Sequence, residues 1–240
     1  MFKHSLNNHT FINHLGYEDE LINDITHYIA SMDYKTVWES EYSQKSKLWT
    51  GSAVKLPDLP KGTEVLELGC GNGKTLAAMV KKEWHITAVD ISSTAILLAR
   101  KAIVDRYEHV KLMEADIMSL PLEPSNFDAV FCYHVLGHLV SKDREKALNE
   151  VKRVLKPGGK LFIQEFSMND LRFGKGEEIE PNAFLNQNGI LTTFFSEGTM
   201  FQMLEQVFPG SDIEISTGSW RMTRGRGLER ERIDAVVETQ

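Results

Sequence analysis

From Lys61 onward, short apolar runs alternate with stretches whose apolar residues recur at spacings of three and four. The first pattern marks strands and the second marks one face of a helix. Strands are expected at Glu64–Leu68, His85–Val89, Val110–Met113, Phe127–Cys132 and Lys160–Phe166. Helices are expected between them at Lys74–Lys82, Ser93–Arg106 and Asp143–Leu155, the last stopped by Pro157-Gly158-Gly159. This alternation predicts βαβ crossovers and a mainly parallel sheet covered by helices.

The flanks read differently. Residues 1 to about 16 carry three Asn and three His with little periodicity, as a loosely held arm does. Leu21, Ile22, Ile25, Tyr28 and Ile29 put one apolar face on a helix over Tyr17–Ala30. The aromatic and polar stretch Thr36–Trp49 follows, and Pro57 and Pro60 mark a linker. Residues 1–60 are therefore expected to form a helical arm or lid, and residues 61–240 the catalytic domain. After Phe166 the alternation breaks for about 25 residues, which include Arg172 to Glu178 and Pro181. A break of this length in a compact domain suggests a functional insertion, placed at 167–195 to cover a substrate. A helix at Glu197–Val207 resumes the pattern. Runs at Asp212–Arg221 and Arg230–Glu238 then flank Gly225-Arg226-Gly227 as an antiparallel hairpin.

Composition narrows the function. A chain of 240 residues, 42% hydrophobic, can bury one large core. A formal charge of -7 argues against a generic nucleic-acid binder. Cys70 and Cys132 lie in apolar, strand-like surroundings, as free thiols of a reducing compartment do. No apolar stretch reaches the length of a signal-peptide core or a membrane span, so a soluble, cytoplasmic protein without a membrane partner is expected.

The candidate chemistry begins at Glu67-Leu68-Gly69-Cys70-Gly71-Asn72-Gly73. Three glycines at alternate positions allow a sharp turn and close approach of a ligand. A dinucleotide site has G-x-G-x-x-G; here the spacing is G-x-G-x-G and Glu67 precedes it. That carboxylate would repel a pyrophosphate but suits an ammonium or sulfonium cation. Asp90, at the end of the second strand, has the position to accept both hydroxyls of a ribose, although helix capping is the alternative. Asp116 is placed to accept an exocyclic amine of adenine, with Ile91 and Ile117 on either side of the ring, unless it is a solvated turn residue.

These motifs, with Ala88-Val89-Asp90-Ile91-Ser92, Ala115-Asp116, Phe127-Asp128-Ala129-Val130, His134-Val135-Leu136-Gly137-His138 and Arg153-Val154-Leu155-Lys156-Pro157-Gly158-Gly159, resemble the class I S-adenosylmethionine-dependent methyltransferases. Within that family they are most similar to the type 11 group, which includes the ubiquinone and menaquinone C-methyltransferases. The similarity covers roughly residues 61 to 166. The lead-in around Trp38-Glu39, Tyr42 and Trp49 is similar, more weakly, to tellurite-resistance and thiopurine methyltransferases. The resemblance implies a doubly wound, Rossmann-like α/β fold with seven strands in the order 3-2-1-4-5-7-6 and the seventh antiparallel. It implies S-adenosylmethionine as cofactor, with Glu67, Gly69, Gly71 and Gly73 at its methionine part, Asp90 at the ribose, and Asp116 with Ile117 at the adenine. Tyr133 would reach the methionine part through its backbone, and His138 is a further candidate. Many members carry Asp where this chain has Glu67, a change that keeps the charge.

A sulfonium methyl is already activated, so alignment and exclusion of water suffice and no metal is expected. An amine, hydroxyl or acidic carbon acceptor would need a base, and His134 is the candidate; a thiolate would need none. Trp49, Arg172, Arg221 and Arg224 are candidate acceptor-binding residues, the arginines suiting an anionic small molecule. Arg230 and Arg232 are expected instead to be solvated, paired with Glu229, Glu231 and Glu238. The alternatives are a protein or RNA methyltransferase, then a NAD-dependent oxidoreductase, then a non-catalytic S-adenosylmethionine-binding protein.

Overall fold

The computed structural model describes residues 33–44, 55–103, 109–221 and 229–240. The helix expected at Tyr17–Ala30 lies outside them. Helix α1 (Tyr34–Gln44) precedes the sheet and belongs to one compact unit with it, Tyr34–Gln240. Strand β1 (Glu64–Leu68) is central, and all but its first residue are buried. It pairs in parallel with β2 (His85–Asp90) on one side and β4 (Phe127–Tyr133) on the other. Outside these lie β3 (Val110–Glu114), parallel to β2, and β5 (Leu155–Phe166), parallel to β4. Strand β10 (Glu229–Glu238) runs antiparallel to β5 and carries β9 (Asp212–Arg221) on its far side. The order β3-β2-β1-β4-β5-β10-β9 is the seven-stranded layout implied by the motifs.

Helices cover the faces because the crossovers between parallel strands must pass over them. The helices are α2 (Leu76–Met79), α3 (Ser93–Ile103), α4 (Ser141–Val154) and α5 (Glu197–Val207). Phe131 stacks between Trp84, at 5.8 Å, and Phe162, at 4.8 Å, and so ties β4 to β5 and to the residue preceding β2.

Two boundaries differ from the expectation. Regular helix at Lys74–Lys82 shrinks to Leu76–Met79, because Gly73 is left-handed (φ 83°) and the chain must leave that turn before a helix can start. Helix α4 passes straight into β5 at Leu155, so Pro157-Gly158-Gly159 lies beyond the helix end, where the β4–β5 register shifts. Pro157 disfavours helical geometry at Lys156, but the helix has already ended.

The break after Phe166 holds a second, three-stranded antiparallel sheet: β6 (Glu177–Glu180), β7 (Ala183–Leu185) and β8 (Leu191–Thr193). Phe166, Phe184 and Phe194 form a core of their own with Met168 packed against them. Among the described residues, no helix is long and apolar enough to cross a membrane.

Candidate functional site

The carboxyl ends of β1, β2 and β4 carry the site. Beyond β1, Gly69 and Gly71 both adopt positive φ, 62° and 55°. A Cβ on Gly69 would lie 2.5 Å from Val135 Cγ2, and one on Gly71 would lie 2.6 Å from the Tyr42 hydroxyl. Glycine is needed there for conformation and for space alike. Asp90 braces the turn: Oδ2 accepts from the Gly71 N–H at 2.8 Å and Oδ1 from the Ser92 N–H at 3.0 Å. Burial pushes its carboxyl up to about 6 against the pull of those two bonds.

Glu67 is 4% exposed, and its Oε2 has no hydrogen-bond partner. Burial, then the Asp90 charge, push its carboxyl well above the usual range. Asn72 Oδ1 is likewise shut from solvent without a partner. Buried polar atoms in folded proteins are nearly always satisfied, so acceptors without a partner among the described residues, beside a glycine turn, mark a candidate site for a ligand's donor.

Gly69, Asp90, Ile91, Asp116, Ile117, His134 and His138 line one half-open cleft. Asp116 Oδ1 accepts from the Met118 N–H at 2.8 Å, an Asx turn that fixes the carboxylate at the rim. Glu67, Gly71, Gly73 and Tyr133 are not among the residues that line it, and Tyr133 packs against Phe131 at 5.6 Å.

Helix α1 supplies a wall that the motifs did not assign: Tyr34, Trp38 and Tyr42. The Tyr34 hydroxyl accepts from the Val140 N–H at 3.1 Å and donates to Asp143 at 3.0 Å, pinning α1 to the start of α4. Glu39 pins it to the start of α3, accepting from Ser92 Oγ at 2.7 Å, the Thr94 N–H at 3.2 Å, and the Thr94 and Ser93 hydroxyls. Ser92 Oγ in turn accepts from the Ala95 N–H at 3.1 Å, the usual N-cap bond.

These donors, Thr94 first, hold the Glu39 carboxyl down to about 2. Its folded value lies below its unfolded one, so its stabilisation is present above about pH 4.5 and is lost as pH falls toward 2. Glu39→Ala should therefore cost on the order of 1 kcal/mol at pH 7, as lost N-caps do. The difference from wild type in urea melts should shrink between pH 5 and pH 2. Equal melts at pH 7 would show that Glu39 does not hold the helix.

Past β4 the chain turns sharply at His134, a non-glycine residue with φ 58°. Glu165, 1% exposed at the end of β5, holds this turn by accepting from the Val135 N–H at 3.0 Å and the Gly137 N–H at 3.1 Å. Burial nonetheless pushes the Glu165 carboxyl up to about 8. His134 stacks on Phe166 at 4.2 Å, and its Nδ1 is buried without a partner. His138 Nδ1 lies 2.6 Å from the Leu191 carbonyl, which can only accept, so Nδ1 carries the hydrogen and Nε2 the lone pair. Trp38 packs edge-on against the His138 ring at 4.9 Å. Burial lowers His134 to about 3 and His138 to about 4, so both are neutral at pH 7.

Of the acceptor-side candidates, the structure describes Arg172 and the main chain of Arg221. Arg172 lies over the Phe166 ring at 3.6 Å. The Arg221 main chain pairs with Glu229 in the hairpin; Arg224 and Trp49 fall outside the described residues. The solvated pairing expected for Arg230 and Arg232 gives way to a different one. Arg230, 13% exposed, donates to buried Asp170 at 2.5 Å, and Arg232 pairs with Asp234 at 2.9 Å. Strand alternation brought glutamates near in sequence, but the insertion carries Asp170 over the hairpin, and a buried carboxylate attracts a guanidinium more strongly than exposed ones do.

The family described as methyltransferase domain matches residues 66–163, the span from β1 to β5. Over that span, about two-fifths of the chain, the protein is similar to the class I methyltransferases. It is 29% identical over 190 residues to a ubiquinone/menaquinone biosynthesis C-methyltransferase of Azotobacter vinelandii, covering 77% of this chain and 73% of that one. It is 26% identical over 205 residues to a tRNA N(3)-methylcytidine methyltransferase of Drosophila melanogaster, covering 81% of this chain and 62% of that one. A solved S-adenosylmethionine-dependent methyltransferase of Methanosarcina mazei shares the fold, with TM-score 0.62 and 24% identity over 75% of this chain and 94% of that one. The chain spans about three-fifths or less of the length of several curated relatives that it matches. The matched methyltransferase domain contains Glu67, the glycine turn, Asp90, Asp116 and both histidines, but not α1, the small sheet or the hairpin.

Proposed function

We propose that this chain is an S-adenosylmethionine-dependent methyltransferase acting on a small-molecule acceptor. The observation that carries the reading is the buried, partnerless carboxylate of Glu67 behind a glycine turn braced by Asp90. A nicotinamide dinucleotide would bring a pyrophosphate to that carboxylate, whereas S-adenosylmethionine brings an ammonium. Glu67 would hold the ammonium, Asp90 the ribose hydroxyls, and Asp116, Ile91 and Ile117 the adenine. Bound there, the cofactor supplies an electrophilic methyl group that leaves its sulfur as the acceptor's lone pair bonds to it.

The chain's own work is alignment, exclusion of water and removal of a proton where the acceptor has one to lose. Tyr34, Trp38 and Tyr42 close one side of the cavity, so a nucleophile competes with little water. His134 and His138 line the cavity, are uncharged at pH 7 and stand on the 134–138 turn held by Glu165. A neutral imidazole can take a proton from the acceptor, and His134 Nδ1 has no competing partner. Because burial moves its titration to about 3, its use as a base would leave no inflection near neutrality. A walled cavity favours a small acceptor over tRNA, and the formal charge of -7 points the same way.

Calorimetry should find binding of S-adenosylmethionine and S-adenosylhomocysteine, with thermal stabilisation by both and none by NAD. A screen with labelled methyl donor should then find transfer to a small molecule. Binding of NAD without S-adenosylhomocysteine would overturn the cofactor reading, and transfer to bulk tRNA alone would overturn the acceptor reading.

A further inference from the structure

The insertion and the hairpin build a second polar feature, one ring away from His134. The Phe166 ring carries His134 stacked at 4.2 Å and the Arg172 guanidinium at 3.6 Å. Two groups this close cannot share one face of a benzene ring, so Phe166 lies between them. Asp170 Oδ1 accepts from the Arg172 main-chain N–H and from its Nε, both at 3.1 Å. Its Oδ2 accepts from Arg230 Nε at 2.5 Å. One buried carboxylate is thus shared by two guanidiniums, and the group carries a net positive charge.

The consequence falls on Arg172 Nη2, which is shut from solvent and has no acceptor. The side chain as a whole is 32% exposed, so the guanidinium stands at the boundary between solvent and the interior. Desolvation and the nearby Arg230 both weigh against its charge. Beside it, Phe173 meets Phe184 at 5.3 Å and Phe194 at 5.6 Å, and Phe173 is still 37% exposed. A guanidinium with an unsatisfied N–H suits a carboxylate or phosphate, and the exposed ring of Phe173 next to it suits an apolar body.

We propose that the methyl acceptor is an amphipathic anion, whose carboxylate or phosphate docks on Arg172 while its apolar body lies against the exposed ring of Phe173, which Phe184 and Phe194 back. This rests on the methyltransferase reading above and names the acceptor class for that site. Arg172 then determines specificity, and Asp170 with Arg230 fixes the direction of its fork.

The test uses the full chain saturated with S-adenosylhomocysteine, titrated with benzoate, phenyl phosphate and the neutral benzamide. Benzoate or phenyl phosphate should bind, the better of the two identifying the charged group, and benzamide should bind at least tenfold more weakly. Arg172→Gln should lower affinity for the anion at least tenfold with S-adenosylhomocysteine affinity unchanged. Arg172→Lys should recover little, since an ammonium cannot offer two parallel bonds. Equal binding of benzamide, no binding of either anion, or full retention in Arg172→Gln overturns the proposal. If Arg172→Gln fails to fold, the wild-type comparison of benzoate with benzamide still decides. Absence of S-adenosylhomocysteine binding at the outset would instead overturn the methyltransferase reading.

Discussion

Asp90→Ala is expected to weaken S-adenosylhomocysteine binding at least tenfold and to lower the melting temperature of the free protein. The first effect follows from lost hydrogen bonds between a charged group and the ribose, each contributing about 1.5 to 3 kcal/mol. The second follows from the structure: Gly71 and Ser92 would each lose the acceptor for a main-chain N–H, at about 1 to 3 kcal/mol for a buried donor left bare. Relief of a buried carboxylate, already pushed up to about 6, offsets part of that cost. Asp90→Asn separates the two effects, because its amide oxygen still accepts one of the two N–H groups while the charge is gone. Affinity should fall in both variants, and stability mainly in Ala. An unchanged dissociation constant in Asn would leave Asp90 as a brace for the turn and remove it from the cofactor site.

The parts of this protein that were legible in its sequence are those where one physical constraint acts over few residues. Strand β1 is buried from Val65 to Leu68, and the one charge within that apolar run, Glu67, is the candidate cofactor-binding residue. The glycine turn is equally legible, because no other residue accepts those backbone angles at that closeness. Strands β6, β7 and β8 are three or four residues long, too short for any periodicity to emerge, and they left only an irregular stretch. Their pairing is decided by packing against Phe166 and Phe194, which are distant in sequence from one another. Asp170 and Glu165 were missed for related reasons. The bond of Asp170 to Arg230 spans 60 residues, and Glu165 sits in a strand where only its position at the carboxyl end, facing the turn after β4, gives it work. The sole signal was a charge between Ile163 and Phe166 in an apolar run. Trp38, Glu39 and Tyr42 lay in the stretch Thr36–Trp49, recognisable as aromatic and polar, and Tyr34 just before it. Which of them face the cavity depends on where α1 docks, and Glu39 and Tyr34 set that through contacts 55 and 106 residues away.

Glu67→Gln should leave the free protein at least as stable as wild type at pH 7 and lower its affinity for S-adenosylhomocysteine by tenfold or more. The change is nearly isosteric, so packing is kept. What it removes is a carboxylate whose folded value lies well above its ordinary 4.5, so the folded chain holds a proton that the unfolded chain has released. For such a group, stability falls as pH rises above about 4.5, and Asp90, raised to about 6, adds to the same slope. Replacing Glu67 removes its share, so the variant's melting temperature should fall less steeply between pH 4 and pH 7. Binding has the opposite dependence. The ligand's ammonium pairs with the ionised carboxylate and not with the acid, so wild-type affinity should rise as pH is raised, by up to tenfold per pH unit for the one proton released. Glutamine has no proton to release and turns either a weak dipole or an N–H toward the ammonium, so its affinity should be low and nearly flat in pH. Calorimetry of both proteins with S-adenosylhomocysteine across pH 5 to 8 reads the two slopes. A variant that binds as tightly as wild type would show that the orphaned oxygen of Glu67 faces no cation.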